Sequence, residues 1–572
     1  MTRLRSIQDL DLTPPGEVHP SPEDWRDSVI YFLLVDRFND GKRHRPYDGS
    51  RLPRSPDDPH GRICQGGTLS GVTERLSYIK KLGANTIWLS PIFKNRIDPG
   101  DFPMYHGYAI QDFLAVDPRL GTLADLQELV RHAHALDMRV IMDIVINHTG
   151  NNWFYKDANP LFRHDGTTYE FGTWNAQHPP DAFGPDDAVW PAELQSPECY
   201  RRCGSIVNWN DLAEAQQGDF MDLKELNLEN TVVLETLTAV YKYWMSAADI
   251  DGYRIDTVKH VENIPVASFC TSIKEYAASI GKHNFFLVGE IVDNDAMLKQ
   301  YVGPRLQAGS KVRGLDAALD FPLYFMLEEV IKGFASPQLL RDRYRILDEL
   351  YAGSDENEFF VTFVDNHDQM ARPYRRFLHQ VPDQRQATLA IGYLLTTPGI
   401  PSIYYGTEQG FDGGAPPGPC RDTHIRECMF GGTWGAFGTS HMHFFNPHHP
   451  LYRSIASIAT LRATHPALRY GRMYFREVSE DGRNFGYPAL GWGLLAYSRI
   501  LDDREIVIVL NVRDQEQTNY VTVDAHLSPS GSIMVDLART KDTCLVEERS
   551  NRATISVTLG PHEMHLYEKR HV

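Results

Sequence analysis

The sequence predicts a (β/α)8 TIM barrel with an inserted domain after the third strand and a C-terminal antiparallel β-sandwich, and three observations carry that reading. From about residue 28 to residue 468, short apolar strands alternate with amphipathic helices, the rhythm of parallel βα units. The rhythm lapses over residues 149–221, a stretch rich in Asn, Pro, Gly, Asp and aromatic residues that is too long for a plain loop. Beyond residue 469 the helical period fades, and short strands separated by polar turns replace it.

The elements follow in order. Residues 1–27 form an N-terminal segment before the first strand, SVIYFLLVDRF. GVTERLSYIKKLG reads as a helix closed by glycine. TIWLSPIF is β-branched and aromatic, a second strand. TLADLQELVRHAHALD opens on a Thr cap and has apolar residues at helical spacing, and RVIMDIVIN is a third buried strand. After the inserted stretch, the helix TVVLETLTAVYKYWMS precedes GYRID, and a helix near residues 266–278 precedes FFLVGE. LDAALDFP, FFVTFVDNHD and IPSIYYG complete eight strand candidates, near-continuous apolar runs suited to a parallel sheet covered on its faces. The barrel therefore takes residues 28–148 and 222–468, the inserted domain 149–221 and the sandwich 469–572. In the tail, LLAYSR, EIVIVLNV, YVTVDA, SIMVDL and ATISVTL are the strand candidates.

A chain of 572 residues needs more than one core, and 42% hydrophobic with 23% charged residues is ordinary for a soluble globular protein. The 75 acidic and 57 basic residues leave a formal charge of -18, which repels phosphate backbones and anionic lipid, so nucleic acid and membrane are poor partners. No run of 18 apolar residues exists, and no apolar stretch follows the basic residues at the start, so the expectation is a cytoplasmic chain with no visible signal peptide, the alternative being a signal removed before residue 1. Seven cysteines argue against a disulfide scaffold; Cys199 and Cys203 could bridge or bind metal, but an isolated C-x3-C is more often two unrelated thiols.

In such a barrel, reactive groups stand at the C-terminal ends of strands. Four strands here end in polar and ionisable residues: DIVINH (143–148), GYRIDTVKH (252–260), VGE (288–290) and FVDNHD (363–368). These segments resemble, in order, the four signature regions of the α-amylase superfamily. KELN (224–227), GIPSIYYGTE (399–408) and MYHGYAIQDF after the second strand resemble further family segments. The resemblance spans about residues 29–468, and the four regions with KELN and GIPSIYYGTE make six motifs in order, far more specific than any one of them.

It implies a retaining glycoside hydrolase with Asp256 as nucleophile, Glu290 as general acid/base and Asp368 as transition-state stabiliser. The chemistry agrees: two carboxyls about 5–5.5 Å apart allow covalent attack and retention, and Asp256 and Glu290 end consecutive strands. Arg254, two residues before Asp256, shares its side of the strand and keeps it ionised, while Glu290 faces other carboxylates and holds its proton. His148 and His367 resemble the family's sugar-binding histidines, Tyr108 its stacking platform, with His106 on the same wall and Lys259 toward the leaving group. The substrate implied is an α-1,4-glucan or malto-oligosaccharide. α-Glucosidase, cyclodextrin-degrading and transglycosylase activities stay open, and so, remotely, does an inactive binding relative, although that class loses one of the three acids.

No organic cofactor is implied. One structural calcium is, between barrel and inserted domain, with Asn147, Glu225 and the His260 backbone as ligands. The family usually has Asp where Glu225 stands, and the extra methylene moves the carboxylate by roughly 1.5 Å. In NDGKRHRP, the family's second calcium loop, Lys42, Arg43 and Arg45 crowd Asp40 and would repel a divalent ion; Lys42 either replaces the ion or is a solvated lysine. The oligomeric state is not legible.

Overall fold

The computed structural model describes residues 3–47, 64–96, 105–157, 160–175, 187–303, 314–369, 375–381, 383–413, 421–431, 441–539 and 542–570. Eight parallel strands form the central sheet: β1 (Ile30–Leu33), β2 (Thr86–Leu89), β3 (Arg139–Ile144), β4 (Gly252–Ile255), β5 (Phe286–Gly289), β6 (Ala317–Ala318), β7 (Val361–Thr362) and β8 (Ile400–Tyr404). Their order is β6-β5-β4-β3-β2-β1-β8-β7, and a parallel bridge from Leu319 to Val361 joins the two ends, so the sheet closes into a barrel. Closure leaves no free edge, and the buried β1, β2 and β5 explain why these strands read as unbroken apolar runs.

Helices cover the outside: α1 (Leu69–Leu82), α2 (Leu123–Ala135), α3 (Thr231–Ala248), α4 (Asn263–Ser279), α5 (Phe321–Ile331), α6 (Gln338–Leu350), α7 (Arg385–Thr396) and α8 (Pro450–Thr464). α1 shows why they form. Thr68 caps its first turn, Leu69, Val72, Leu76 and Ile79 bury one face, and Gly83 ends it at φ 100°. Thr122 and Asp125 make a reciprocal cap on α2.

One reading around the first strand changes. SVIYFLLVDRF is a strand only through Leu33; Val35–Phe38 turn into one helical turn. The reason is Asp36, whose buried carboxylate accepts from the Gln65 and Gly66 amides and pairs with Arg37, contacts an extended strand would not offer. Lys42 stands between the two readings: its side chain is 79% exposed, yet its Nζ lies 3.9 Å from the Asp40 carboxylate, which His44 meets more closely at 2.9 Å.

The inserted stretch leaves after β3 and returns through Lys224–Glu225, which pair antiparallel with His148–Thr149. It holds a hairpin, Trp153–Tyr155 against Phe171–Trp174, and a short helix, Leu212–Gln217. Its residues 158–159 and 176–186 lie outside the described set. The N-terminal segment ties this stretch down: Arg3 pairs with Asp112 and, with Arg5, lies over the Trp190 ring. Cys199 and Cys203 are both free thiols.

The tail is two antiparallel sheets of six and four strands. Residues 504–510 alternate faces: Ile506, Ile508 and Leu510 join the barrel's core, whereas Val507 and Val509 join a second core between the sheets. Burial on both sides accounts for the unbroken run EIVIVL. The strand Met564–Lys569, unread in the sequence, pairs with both 504–510 and 533–536. Among the described residues, no helix is long and apolar enough to cross a membrane.

Candidate active site

The C-terminal ends of β3, β4, β5 and β7 converge on one buried cluster of acids. Register sets the first pair: Arg254 of β4 lies beside Asp143 of β3, and Arg254 Nη1 donates to Asp143 at 2.8 Å and to Asp256 at 2.7 Å. Its other terminal nitrogen pairs with Glu290 Oε2 at 2.8 Å. One fully buried guanidinium thus holds three carboxyls, so Asp256 and Glu290 stand within the span of a single planar fork. Gly289 permits this: a Cβ there would fall 2.4 Å from a Leu315 methyl, at the step before Glu290. The Thr257 amide donates to Glu290 Oε2 at 3.1 Å.

Asp143 is fixed from behind by Trp88 Nε1 at 3.0 Å and the Tyr108 hydroxyl at 2.8 Å. The Tyr108 ring lies almost parallel to His367, centroids 5.2 Å apart at 8°, and His106 Nδ1 accepts from the Tyr108 amide at 3.1 Å. Gly107 makes that turn possible with φ 91°, its Cα packed where a Cβ would sit 2.2 Å from the Pro91 carbonyl. Met104, which opens this segment, lies outside the described residues.

Asp368 is anchored separately. Asn366 Oδ1 accepts from the Asp368 amide at 2.9 Å, and His367 Nε2 lies 3.2 Å from its carboxylate. Arg426 Nη2 donates to Asp368 at 2.8 Å, while its other nitrogens bond the His367 carbonyl, Asp422 and the Tyr105 hydroxyl. Sequence reasoning missed Arg426. It lies after β8, in RDTHIRECMF, where no local pattern marks a buried role.

Burial separates the acids electrostatically. It pushes the Glu290 carboxyl up to about 8 against the pull of Arg254, and the charges of Asp256 and Asp368 add to the rise. Burial lifts Asp256 to about 6, with Arg254 opposing and Asp143 adding. Burial works against Asp368 too, but His367 and Arg426 prevail and hold it below the usual carboxylate range. Near neutrality the cluster therefore offers one protonated acid beside ionised ones. Burial also depresses His148 and His367 to about 3 and His106 to about 4, leaving neutral imidazoles that can both donate and accept. His148 Nε2 and His367 Nδ1 are buried without a partner, which suits hydroxyl-bearing ligands.

The remaining sequence candidates lie to one side. Lys259 pairs with Asp293 at 2.8 Å, and the His260 ring bonds the Ala215 carbonyl at 2.7 Å and packs edge-on to Phe220. Asn147 and Glu225 meet at 2.7 Å, amide to carboxylate, where the inserted stretch rejoins the barrel.

The chain is similar to known proteins along most of its length. The profile of the alpha-amylase catalytic domain matches residues 32–422. The chain is 30% identical over 558 residues to the beta/alpha-amylase of Paenibacillus polymyxa, covering 96% of this chain and 38% of that protein. It is 31% identical over 523 residues to an alpha-amylase of Streptomyces lividans, covering 82% of this chain and 53% of that one. This chain thus spans about half or less of the length of these two relatives. The crystal structure of an alpha-amylase from Geobacillus thermoleovorans complexed with acarbose superposes with TM-score 0.69 at 28% identity, over 96% of this chain and 100% of that one.

Proposed function

Because this chain belongs to the α-amylase family, we propose that it hydrolyses α-1,4-glucosidic bonds of starch-derived glucans or malto-oligosaccharides with retention of configuration. The single observation that carries the mechanism is Arg254 holding Asp256 and Glu290 on the two ends of one guanidinium. In the first step an Asp256 oxygen attacks the anomeric carbon while Glu290 gives its proton to the departing glycosidic oxygen. The bond to the leaving sugar breaks, and a glycosyl ester forms on Asp256. In the second step the Glu290 carboxylate takes a proton from water, whose oxygen displaces Asp256 from the opposite face. Two inversions return the α-anomer. Asp368, kept ionised by Arg426, stabilises the positive charge that develops on the ring and orients hydroxyls. Tyr108, His106, His148 and His367 form the walls around the cleaved sugar, and Lys259 faces the leaving side. Incubation with maltoheptaose, soluble starch, β-cyclodextrin, trehalose and sucrose tests the reading. Rapid α-anomeric maltosaccharide release from the first two supports it; turnover of trehalose or sucrose alone would overturn it.

The two titrations fix the pH dependence. Asp256 must be ionised, so activity falls as pH drops through about 6; Glu290 must be protonated, so activity falls as pH rises through about 8. A profile of kcat/KM against pH should be a bell with limbs near these values. A flat profile from pH 5 to 9 would contradict the assignment of base and acid.

A structural calcium fits the seam between inserted stretch and barrel. Asn147 Oδ1 is buried with no partner, and the Glu225 carboxyl is pushed well above its usual range by burial and by the charge of Asp219, so a cation there would relieve it. Asn147, Glu225 and the His260 carbonyl are the donors we assign; the ion's part is to pin the seam. Metal analysis should find one calcium per chain, and EDTA should lower Tm. Zero calcium with an unmoved Tm refutes the assignment.

A further inference from the structure

Residues 3–27 run as a strap along the outside of the barrel. Their lower part is fixed at the N-terminal ends of β4 and β5. There the Trp25 indole donates to the Asn284 carbonyl at 2.8 Å, Asn284 Nδ2 to the Pro22 carbonyl at 2.9 Å, and the His19 amide to Asp249 at 3.0 Å. Midway, the Tyr276 hydroxyl of α4 donates to the Leu12 carbonyl, and the turn Ile7–Asp9 packs on α3. Leu4, Ile7 and Leu10 lay apolar side chains against the barrel's core.

The upper end reaches the inserted stretch. Ser6 Oγ and the Ile7 amide both donate to the Glu193 carboxylate, and the Ala192 amide donates to the Arg5 carbonyl at 2.8 Å. Arg3 Nη2 meets Asp112 at 3.1 Å, and Arg3 and Arg5 stand 5.5 and 4.9 Å from the centre of the Trp190 ring. The Asp112 side chain is fully buried and that of Arg3 is 31% exposed, so the guanidinium paired with this carboxylate comes from outside the barrel. Burial pushes the Asp112 carboxyl up, and the Leu114 amide and Arg3 oppose the rise.

This anchor lies beside the walls of the active site. Asp112 belongs to the strand Ile110–Val116, which begins two residues after Tyr108. The Trp190 amide donates to the Gln111 carbonyl at 2.8 Å, and the Phe113 amide to the Trp190 carbonyl at 3.0 Å, so both neighbours of Asp112 are bonded to the inserted stretch. The Ile110 carbonyl accepts from the Gly150 amide at 2.9 Å and from Asn152 Nδ2 at 3.0 Å, and Gly150 follows His148 by two residues. The approach is close: a Cβ on Gly150 would lie 2.7 Å from the Ala109 carbonyl. A covalent and hydrogen-bonded path thus runs from Arg3 through Asp112 and Ile110 to the segments carrying Tyr108 and His148. The catalytic acids are held separately, by Arg254 and Arg426.

We propose that Arg3 is a positioning residue: by pairing with Asp112 it clamps the strap and the inserted stretch onto the strand after Tyr108, and so fixes the walls that receive the cleaved sugar. This rests on the α-glucan reading above, in which Tyr108 and His148 face that sugar. Because the acids are anchored elsewhere, loosening the strap weakens sugar binding and spares the chemical step.

In the full chain, well below Tm, Arg3→Ala should raise KM for maltoheptaose about 3- to 10-fold while kcat stays within about twofold. Arg3→Lys, which keeps a cation for Asp112, should recover most of the KM. Arg3→Ala also strands a buried carboxylate, so its Tm falls whether or not the walls move. Arg3→Ala with Asp112→Asn separates the two effects: Tm should recover and KM should stay raised. Glu193→Ala removes the other upper anchor without stranding a charge, and it should raise KM in the same way. Hydrogen exchange without glucan should be faster in Arg3→Ala for the peptides containing Ala192 and Gly150. An unchanged KM, a KM that recovers together with Tm in the double variant, or unchanged exchange at Gly150 would leave Arg3 a purely structural residue and overturn the proposal. If the unsubstituted chain turns over no glucan, the α-glucan reading has failed, and exchange at Gly150 still decides whether Arg3 holds the wall.

Discussion

Asp256→Asn, Glu290→Gln and Asp368→Asn should each lower kcat on maltoheptaose by about 10³-fold or more, with Tm shifted by only a few degrees. The size follows from what each loses. Without Asp256 no ester forms. Without Glu290 the leaving oxygen departs unprotonated and the second water is not activated. Without the Asp368 charge, Arg426 on that wall is left unneutralised, a guanidinium of the wrong sign for the ring cation. Stability is spared because each replacement is close to isosteric and retains polar atoms near Arg254 or Arg426. Steady-state kinetics beside melting curves check both halves. Any of the three variants retaining more than about a tenth of the turnover would have its role misassigned.

Arg254→Met should be worse for the protein than any of those changes. The guanidinium is buried and holds Asp143, Asp256 and Glu290, so its removal strands three buried carboxyls without their shared cation. Breaking a buried ion pair from one side costs about 3–5 kcal/mol, so Tm should fall clearly and kcat with it. The pH profile separates structure from chemistry. Arg254 is what opposes the rise of Asp256, so without it the acid limb moves above about 6 and activity is lost at a higher pH. Arg254→Lys should recover only part of this, because one ammonium cannot span the two acids as the fork does. An acid limb that stays put in folded Arg254→Met would show that Arg254 does not tune Asp256.

The contrast between Asp256 and Arg426 shows what a sequence can disclose. Asp256 and Glu290 are legible because each directly follows an apolar strand, and Asp368 because the loop it stands on continues the apolar run of β7; strand ends in a barrel share one face whatever the packing in detail. Arg426 reaches Asp368 from a segment 58 residues away, so no local period announces it. Trp88 is similar: as a strand residue it reads as core, yet its indole nitrogen fixes Asp143. VDRF was unreadable as helix because the contacts that turn it, from Gln65 and Gly66, come from a distant loop. The strand Met564–Lys569 escaped notice because its charged end resembles a frayed terminus, although its middle is buried between two neighbours.

Trapping the intermediate tests the central claim most directly. With Glu290→Gln and α-maltosyl fluoride, the fluoride leaves without an acid, so Asp256 can still form its ester. Water then lacks a base, so the ester should accumulate. Mass spectrometry of the digested protein should find one maltosyl group, on the peptide containing Asp256. An adduct on another residue, or rapid turnover to the β-anomer with no adduct, would contradict a double displacement through Asp256.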